Sequence, residues 1–137
     1  MGTSRFESTD FGDLLPDPGS YGGAVITARL TRSQRGNRMV EVSFCLLGPP
    51  MASFEVRDYF VLEGASSRGL MVARRRLVEL YRACGRGPQV GDEIHPQDLV
   101  GARLEVQLDH EQRDGQLRVR VRAYRQLLRL GADQEGL

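Results

Sequence analysis

The chain has 137 residues, 40% of them hydrophobic and 27% charged, with a formal net charge of +1; this is the profile of one soluble globular domain and is short for two. Its apolar runs fall far below the roughly 20 residues that span a bilayer, and its start, MGTSRFESTDFGDLLPDPG, carries acids where a secretory signal needs a basic start and an apolar stretch. A cytoplasmic protein with no membrane segment is expected. All 19 basic residues are arginine, and their placement is uneven. Residues 1–20 hold Arg5 against Glu7, Asp10, Asp13 and Asp17, a sum of −3, whereas residues 113–129 hold six arginines against Asp114, a sum of +5.

Residues 1–20 have weak periodicity and end in Leu-Pro-Asp-Pro-Gly, which reads as a flexible acidic arm closed by a turn. From Tyr21, the residues Gly22, Ala24, Ile26, Ala28 and Leu30 alternate with Val25, Thr27, Arg29 and Thr31, the period of a half-buried strand. The basic loop TRSQRGNR follows. Val40, Val42, Phe44 and Leu46 then form one face of a second strand, so the two strands make a long hairpin. Gly48-Pro49-Pro50 stops it. A third strand runs from Ser53 to Leu62, where Phe54, Val56 and Phe60 share parity with Asp58; a bulge near Asp58 is expected to resolve the conflict.

SSRGLMVARRRLVELYRACG is the clearest helix. Leu70, Ala73, Leu77, Leu80, Tyr81 and Cys84 recur at helical spacing, Arg75 and Arg82 lie opposite, and Arg74 and Arg76 border the stripe. Ser66 or Ser67 is positioned to cap its start, and Gly85 to end it. Gly87 to Asp98 reads as a loop. Leu104, Val106 and Leu108 mark a fourth strand, Glu111 to Gly115 a turn, and Leu117, Val119 and Val121, alternating with Arg118, Arg120 and Arg122, a fifth.

Three strands, one helix and two strands, each strand with one apolar face, must close on themselves or leave edges open. The expected fold is therefore mainly β, a five-stranded OB-fold barrel over residues 21–128 with one α-helix between strands 3 and 4, followed by a flexible tail at 129–137. A split α+β sheet is the alternative. In an OB-fold the face around strands 2 and 3 and the loops joining strands 1 to 2 and 4 to 5 receive oligonucleotides. That geometry nominates Arg29, Arg32, Arg35 and Arg38 around the first loop, Arg57 and Tyr59 outward on strand 3, Arg113 at the tip of the second loop, and Arg118, Arg120 and Arg122 on strand 5.

By itself TRSQRGNR reads equally as a solvated hairpin turn, with Gly36-Asn37 supplying positive φ. With the second basic loop and the strand-5 arginines it reads as a phosphate-binding surface, whose affinity falls with salt as counterions are released. Against three strand-5 arginines, Glu105 alone is read as a cross-strand partner. Arg74, Arg75 and Arg76 read as the solvated side of the helix. Stacking candidates are few: there are nine aromatics and no tryptophan. Tyr59 is the best outward ring, Tyr21 is a second, and Phe44, Phe54 and Phe60 read mainly as core. Few rings predict modest affinity per subunit, which a homo-oligomer would multiply through avidity.

The blocks GSYGGAVITARLTRSQRGNRMVEVSFCLL, FEVRDYFVL, MVARRRLVELYRACG, DLVGARLEVQL and LRVRVRAY together resemble a family of small phage-encoded single-stranded-DNA-binding-like proteins. The resemblance covers roughly residues 15–125. It implies an OB-fold, single-stranded DNA as partner, and a role in phage or mobile-element DNA replication or recombination beside proteins of those processes. The first-loop lysines common in that family are arginines here, which keep the charge and strengthen bidentate phosphate contact. The tail GADQEGL lacks the acidic, Phe-ending tip by which bacterial single-strand binding proteins recruit partners.

An enzyme is not expected. The sequence has no phosphate-cradling Gly-rich loop with Lys-Ser/Thr, no nucleophile elbow and no His-x-Glu zinc signature. No cofactor or metal is expected either: His95 and His110 stand apart from each other and from Cys45 and Cys84, which read as reduced, mostly buried thiols. The competing reading is a non-catalytic OB-type adaptor that binds another protein through Met39, Cys45 and the helix surface.

Overall fold

In the computed structural model the described residues are 15–49, 51–86 and 94–127. Most of the expected acidic arm, part of the loop before the fourth strand and the whole of the expected tail lie outside them. Among the described residues, five strands and one helix follow in the order β1 (Gly19–Arg32), β2 (Arg38–Leu46), β3 (Glu55–Val61), α1 (Ser67–Ala83), β4 (Arg103–Arg113) and β5 (Gln116–Arg125), with a 3-10 turn at Pro96–Leu99. The strands form one antiparallel sheet in the order β3-β2-β1-β4-β5.

The 14-residue β1 holds the sheet together because it serves two partners. Its first half, Gly19–Ala24, pairs with β4, and Gly23–Arg32 pairs with β2. Near the change of partner, Val25 stands opposite Phe44 and Thr27 opposite Ser43, so Ile26 is one residue too many. This bulge reverses the side-chain parity of the strand. Val25 faces the core before it and Ala28 after it, 2% and 5% exposed, while Ile26 turns outward. Of the inward face expected for the first strand only Ala28 is buried, and Ile26 and Leu30 are both exposed.

The bulge expected at Asp58 does not occur. β3 pairs with β2 in unbroken register from Met39 opposite Val61 to Cys45 opposite Glu55. Val56, Asp58 and Phe60 accordingly all face inward, and a carboxylate is carried to the rim of the core. It is tolerated because it is paired. Arg76 Nη2 of α1 lies 2.5 Å from Asp58 Oδ2, and the Tyr124 hydroxyl of β5 donates to the same oxygen. Arg76 also donates to the Val121 carbonyl at 3.2 Å and lies 5.2 Å from the centre of the Phe60 ring and 5.8 Å from that of Tyr124. Arg76 is thus half-buried, contrary to the expectation that it borders a solvated face.

This cluster occupies the place where a closed barrel would pair β3 with β5. The two strands are the edges of the sheet; they approach one another, but side chains and not a backbone ladder bridge them. A second bulge makes the bridge geometrically available. Leu108 pairs with Val121 and Gln107 with Ala123, leaving Arg122 as the extra residue, so Tyr124 points inward with Val121.

α1 covers one end of the sheet through the stripe read from sequence: Ala73, Leu77, Leu80 and Tyr81 are buried, and Leu70 and Cys84 half-buried. Ser66 Oγ accepts from the Gly69 N–H at 3.0 Å to cap its start. Gly85, at φ +74°, ends it as a left-handed C-terminal residue. The core joins this stripe to Phe44, Phe60, Leu99, Leu104 and Val106, all fully buried. Each such side chain contributes roughly 1.5–3 kcal/mol of burial. Both cysteines are free and half-buried, and burial pushes the Cys84 thiol up to about 11. Among the described residues no helix is long and apolar enough to cross a membrane.

Candidate nucleic-acid interface

The sheet register brings three of the ten nominated residues onto one surface. Arg29 pairs with Glu41 and Glu41 with Tyr59, making a row across β1, β2 and β3; the next row is Thr27, Ser43 and Arg57. These odd-numbered positions lie on the face opposite the core because the even ones are committed to it; Thr27, Arg29, Arg57 and Tyr59 are exposed there, while Ser43 is buried at 4%. Tyr59 is 46% exposed, and it is the one exposed aromatic ring among the described residues. Phe44 and Phe60 are wholly internal, Phe54 packs partly against the core, and Tyr21 is half-buried with its hydroxyl donating to the Asp17 carbonyl at 2.6 Å.

The arginines beside Tyr59 are not free. Arg29 Nε donates to Glu41 Oε1 at 2.8 Å, and Arg57 Nε to Glu55 Oε2 at 3.3 Å. The bond to Glu55 raises the Arg57 pKa. Both guanidinium groups are well exposed, but their acids differ: Glu55 is exposed and Glu41 is mostly covered, so the Arg57 pair opens to a competing anion at less cost than the Arg29 pair.

The first basic loop is smaller and stiffer than expected. The strands run up to Arg32 and Arg38, leaving Ser33–Asn37 as a tight turn. Ser33 N–H donates to Asn37 O and Gly36 N–H to Ser33 O, both at 2.8 Å, while Arg32 Nη1 is drawn back onto Gly36 O at 2.7 Å. Glu63 sits 3.9 Å from Arg32 Nη1 and accepts the Arg38 N–H at 3.0 Å. Gly64, at φ +81°, lies so close to Asn37 that an added Cβ would sit 2.1 Å from its side chain. The turn is docked on the segment entering α1. Arg35 and Arg38 keep their side chains exposed at its rim, with no carboxylate within 4.0 Å among the described residues.

The second loop is a two-residue turn, Asp114-Gly115, with φ of 54° and 77°, the type I′ geometry that closes a tight hairpin. Arg113 pairs with Gln116 at its base and is exposed. The turn sets the register behind it, placing Glu111 opposite Arg118 and Asp109 opposite Arg120. Arg120 Nη1 also lies 3.8 Å from Glu111. Asp109 and Glu111 therefore interleave the strand-5 arginines, while Glu105, the expected partner, stands opposite Arg125; counting outward from Asp114-Gly115 finds them. Arg122, the bulge residue, is exposed.

The ten residues thus fall into two groups, one on the outer face of β1–β2–β3 and its turn, the other on the β4–β5 hairpin; no backbone ladder joins β3 to β5, and the two edges meet through Asp58 and Tyr124. Among the described residues no three His, Cys, Asp or Glu side chains gather in a way that would hold a metal ion. No protein-family model matches the chain, and no curated protein matches it.

Proposed function

We propose that this protein binds single-stranded DNA, with little sequence preference, on the outer face of β1–β2–β3, in the manner of an OB-type barrel. The strand order, with β1 shared between β2 and β4 and a helix between β3 and β4, supports that architecture; in this reading the Asp58–Arg76–Tyr124 cluster stands in for the missing β3–β5 ladder. A role in phage or mobile-element replication or recombination rests on the sequence resemblance alone.

One observation carries the reading: an exposed tyrosine ring flanked by exposed guanidinium groups on a sheet face. A base stacks on Tyr59, worth roughly 1–3 kcal/mol. Arg29 and Arg57 exchange their carboxylates for phosphate oxygens, and Arg35 and Arg38 extend the path past the turn. Because the contacts are with phosphates and π-faces, sequence matters little and salt matters much.

The adaptor reading draws on the same surface, since Ile26 at the β1 bulge and Val61 on β3 are 40% and 36% exposed. Titration of labelled oligothymidylate across a salt series, with duplex DNA as competitor, separates the two. Binding that weakens steeply with salt, prefers single strands and drops about tenfold in Tyr59→Ala supports the DNA reading. No binding at low salt, or equal affinity for duplex, sinks it.

A further inference from the structure

The strongest unpaired positive surface lies elsewhere. α1 carries Arg68, Arg74, Arg75, Arg76 and Arg82 against the single acid Glu79. Arg76 is consumed by Asp58. Arg68, Arg75 and Arg82 are exposed and recur every seven residues, so they form one nearly straight line on the helix, about 10.5 Å apart and about 21 Å from end to end. Among the described residues no carboxylate lies within 4.0 Å of any of these three guanidinium groups.

A cleft of about 290 Å³ adjoins the line, between the C-terminal half of α1 and the end of β5, with Arg75, Arg82 and Arg125 on its walls. Its one acid, Glu79, is turned to the backbone, where Oε1 accepts from the Tyr124 N–H at 3.4 Å. Gln126 Nε2 is held on the Arg82 carbonyl at 3.3 Å. The cleft therefore has an anchored floor and three cationic walls. On the sheet face, by contrast, Arg29 and Arg57 each carry a carboxylate of their own. A solvated helix needs neither three arginines at seven-residue spacing nor the near-absence of acids. Exposed helices ordinarily intersperse both signs at three- and four-residue spacing.

We infer that the Arg68–Arg75–Arg82 line, with Arg125 across the cleft, is a second contact for the phosphate backbone of the same single strand. The line spans the axial rise of about six stacked nucleotides. It reads charge alone, since among the described residues no exposed aromatic ring accompanies it, and it lengthens the footprint beyond what the sheet face covers. The inference rests on the DNA reading for the identity of the polyanion.

The test compares the full-length protein with the triple variant Arg68→Gln, Arg75→Gln, Arg82→Gln. Glutamine is nearly as good a helix former as arginine, and the substituted side chains are exposed. A Lys triple variant at the same positions restores the charge. Each is titrated by fluorescence anisotropy with oligothymidylates of about 8 and about 24 nucleotides, lengths that bracket the span of one such domain. The expected result is that the Gln variant binds the short oligomer as the parent does, loses the added affinity for the long one, and has a log-affinity against log-salt slope shallower by about 2, with the Lys variant recovering both. An unchanged slope on the long oligomer, while Arg29→Ala/Arg57→Ala/Tyr59→Ala abolishes binding, overturns this inference and leaves the sheet-face function standing. Binding of poly-glutamate that the Gln variant loses, with DNA binding unaffected, overturns it in favour of an acidic polypeptide. If the parent protein binds neither oligomer at low salt, both readings fail.

Discussion

Two arginine–carboxylate pairs in this molecule have similar chemistry and opposite consequences. Arg29 and Glu41 meet at 2.8 Å on the outer sheet face, and Arg76 and Asp58 at 2.5 Å beneath the junction of β3 and β5. The Arg29 side chain is 66% exposed and the Arg76 side chain 27%. The two carboxylates are similarly covered, Glu41 at 13% and Asp58 at 16%, so the pairs differ in the cation: water and ions reach Arg29 and weaken the first pair. The second is flanked by two aromatic rings and shares its acid with the Tyr124 hydroxyl. Removing either partner strands a desolvated group. Burial of the guanidinium, more than the distance between the charges, separates the pair that builds the fold from the pair whose cation faces solvent.

The contrast is broken most directly at Asp58. Asp58→Ala should cost about 3 kcal/mol of unfolding free energy, read from urea midpoints at constant m-value; a loss no larger than that of a surface acid would mean that the cluster is ornamental. Tyr124→Phe removes one hydrogen bond and should cost about 1.5 kcal/mol. It should also change the alkaline limb of stability. Burial first, and then Asp58, hold the Tyr124 phenol well above its ordinary value of 10.0. A folded pKa above the unfolded one means that the native state keeps a proton the unfolded chain releases, so stability falls as pH rises past about 10. The Phe variant should lose most of that fall and keep the parts due to Cys84 and Tyr81, whose pKa values burial also raises. On the sheet face, a double-mutant cycle on Arg29 and Glu41 should give a coupling of about 0.5 kcal/mol or less. Glu41→Gln should leave stability almost unchanged and strengthen oligothymidylate binding about twofold at low salt by releasing Arg29; weaker binding would show that Glu41 orients Arg29 instead of masking it.

Legibility in the sequence followed the range of the interaction. The helix, its Ser66 cap and its Gly85 stop were visible because caps and 3.6-residue stripes are local, and so was the inward face of β4 at Leu104, Val106 and Leu108. The bulges at Ile26 and Arg122 were not, because alternation on either side of a bulge is individually regular and only the partner strand reveals the extra residue. Asp58 misled for a related reason. Its partners lie 18 and 66 residues away, and an acid on an inward face looks like an error of parity until both are in place. At the candidate site, the outward position of Arg57 and Tyr59 was readable from strand period. The acid partners of Arg29 and Arg118 depend on register, which period alone does not supply.

The bulge at Arg122 gives the chain a particular sensitivity to length. Its side chain is exposed, so replacing it alters only surface charge, and many residues fit. Deleting it is another matter: Tyr124 would rotate to the outer face, Asp58 would lose its hydroxyl donor, and Arg76 would lose one of its flanking rings. In a lineage of such chains, position 122 should therefore drift freely in identity while the count of residues between Val121 and Tyr124 stays fixed.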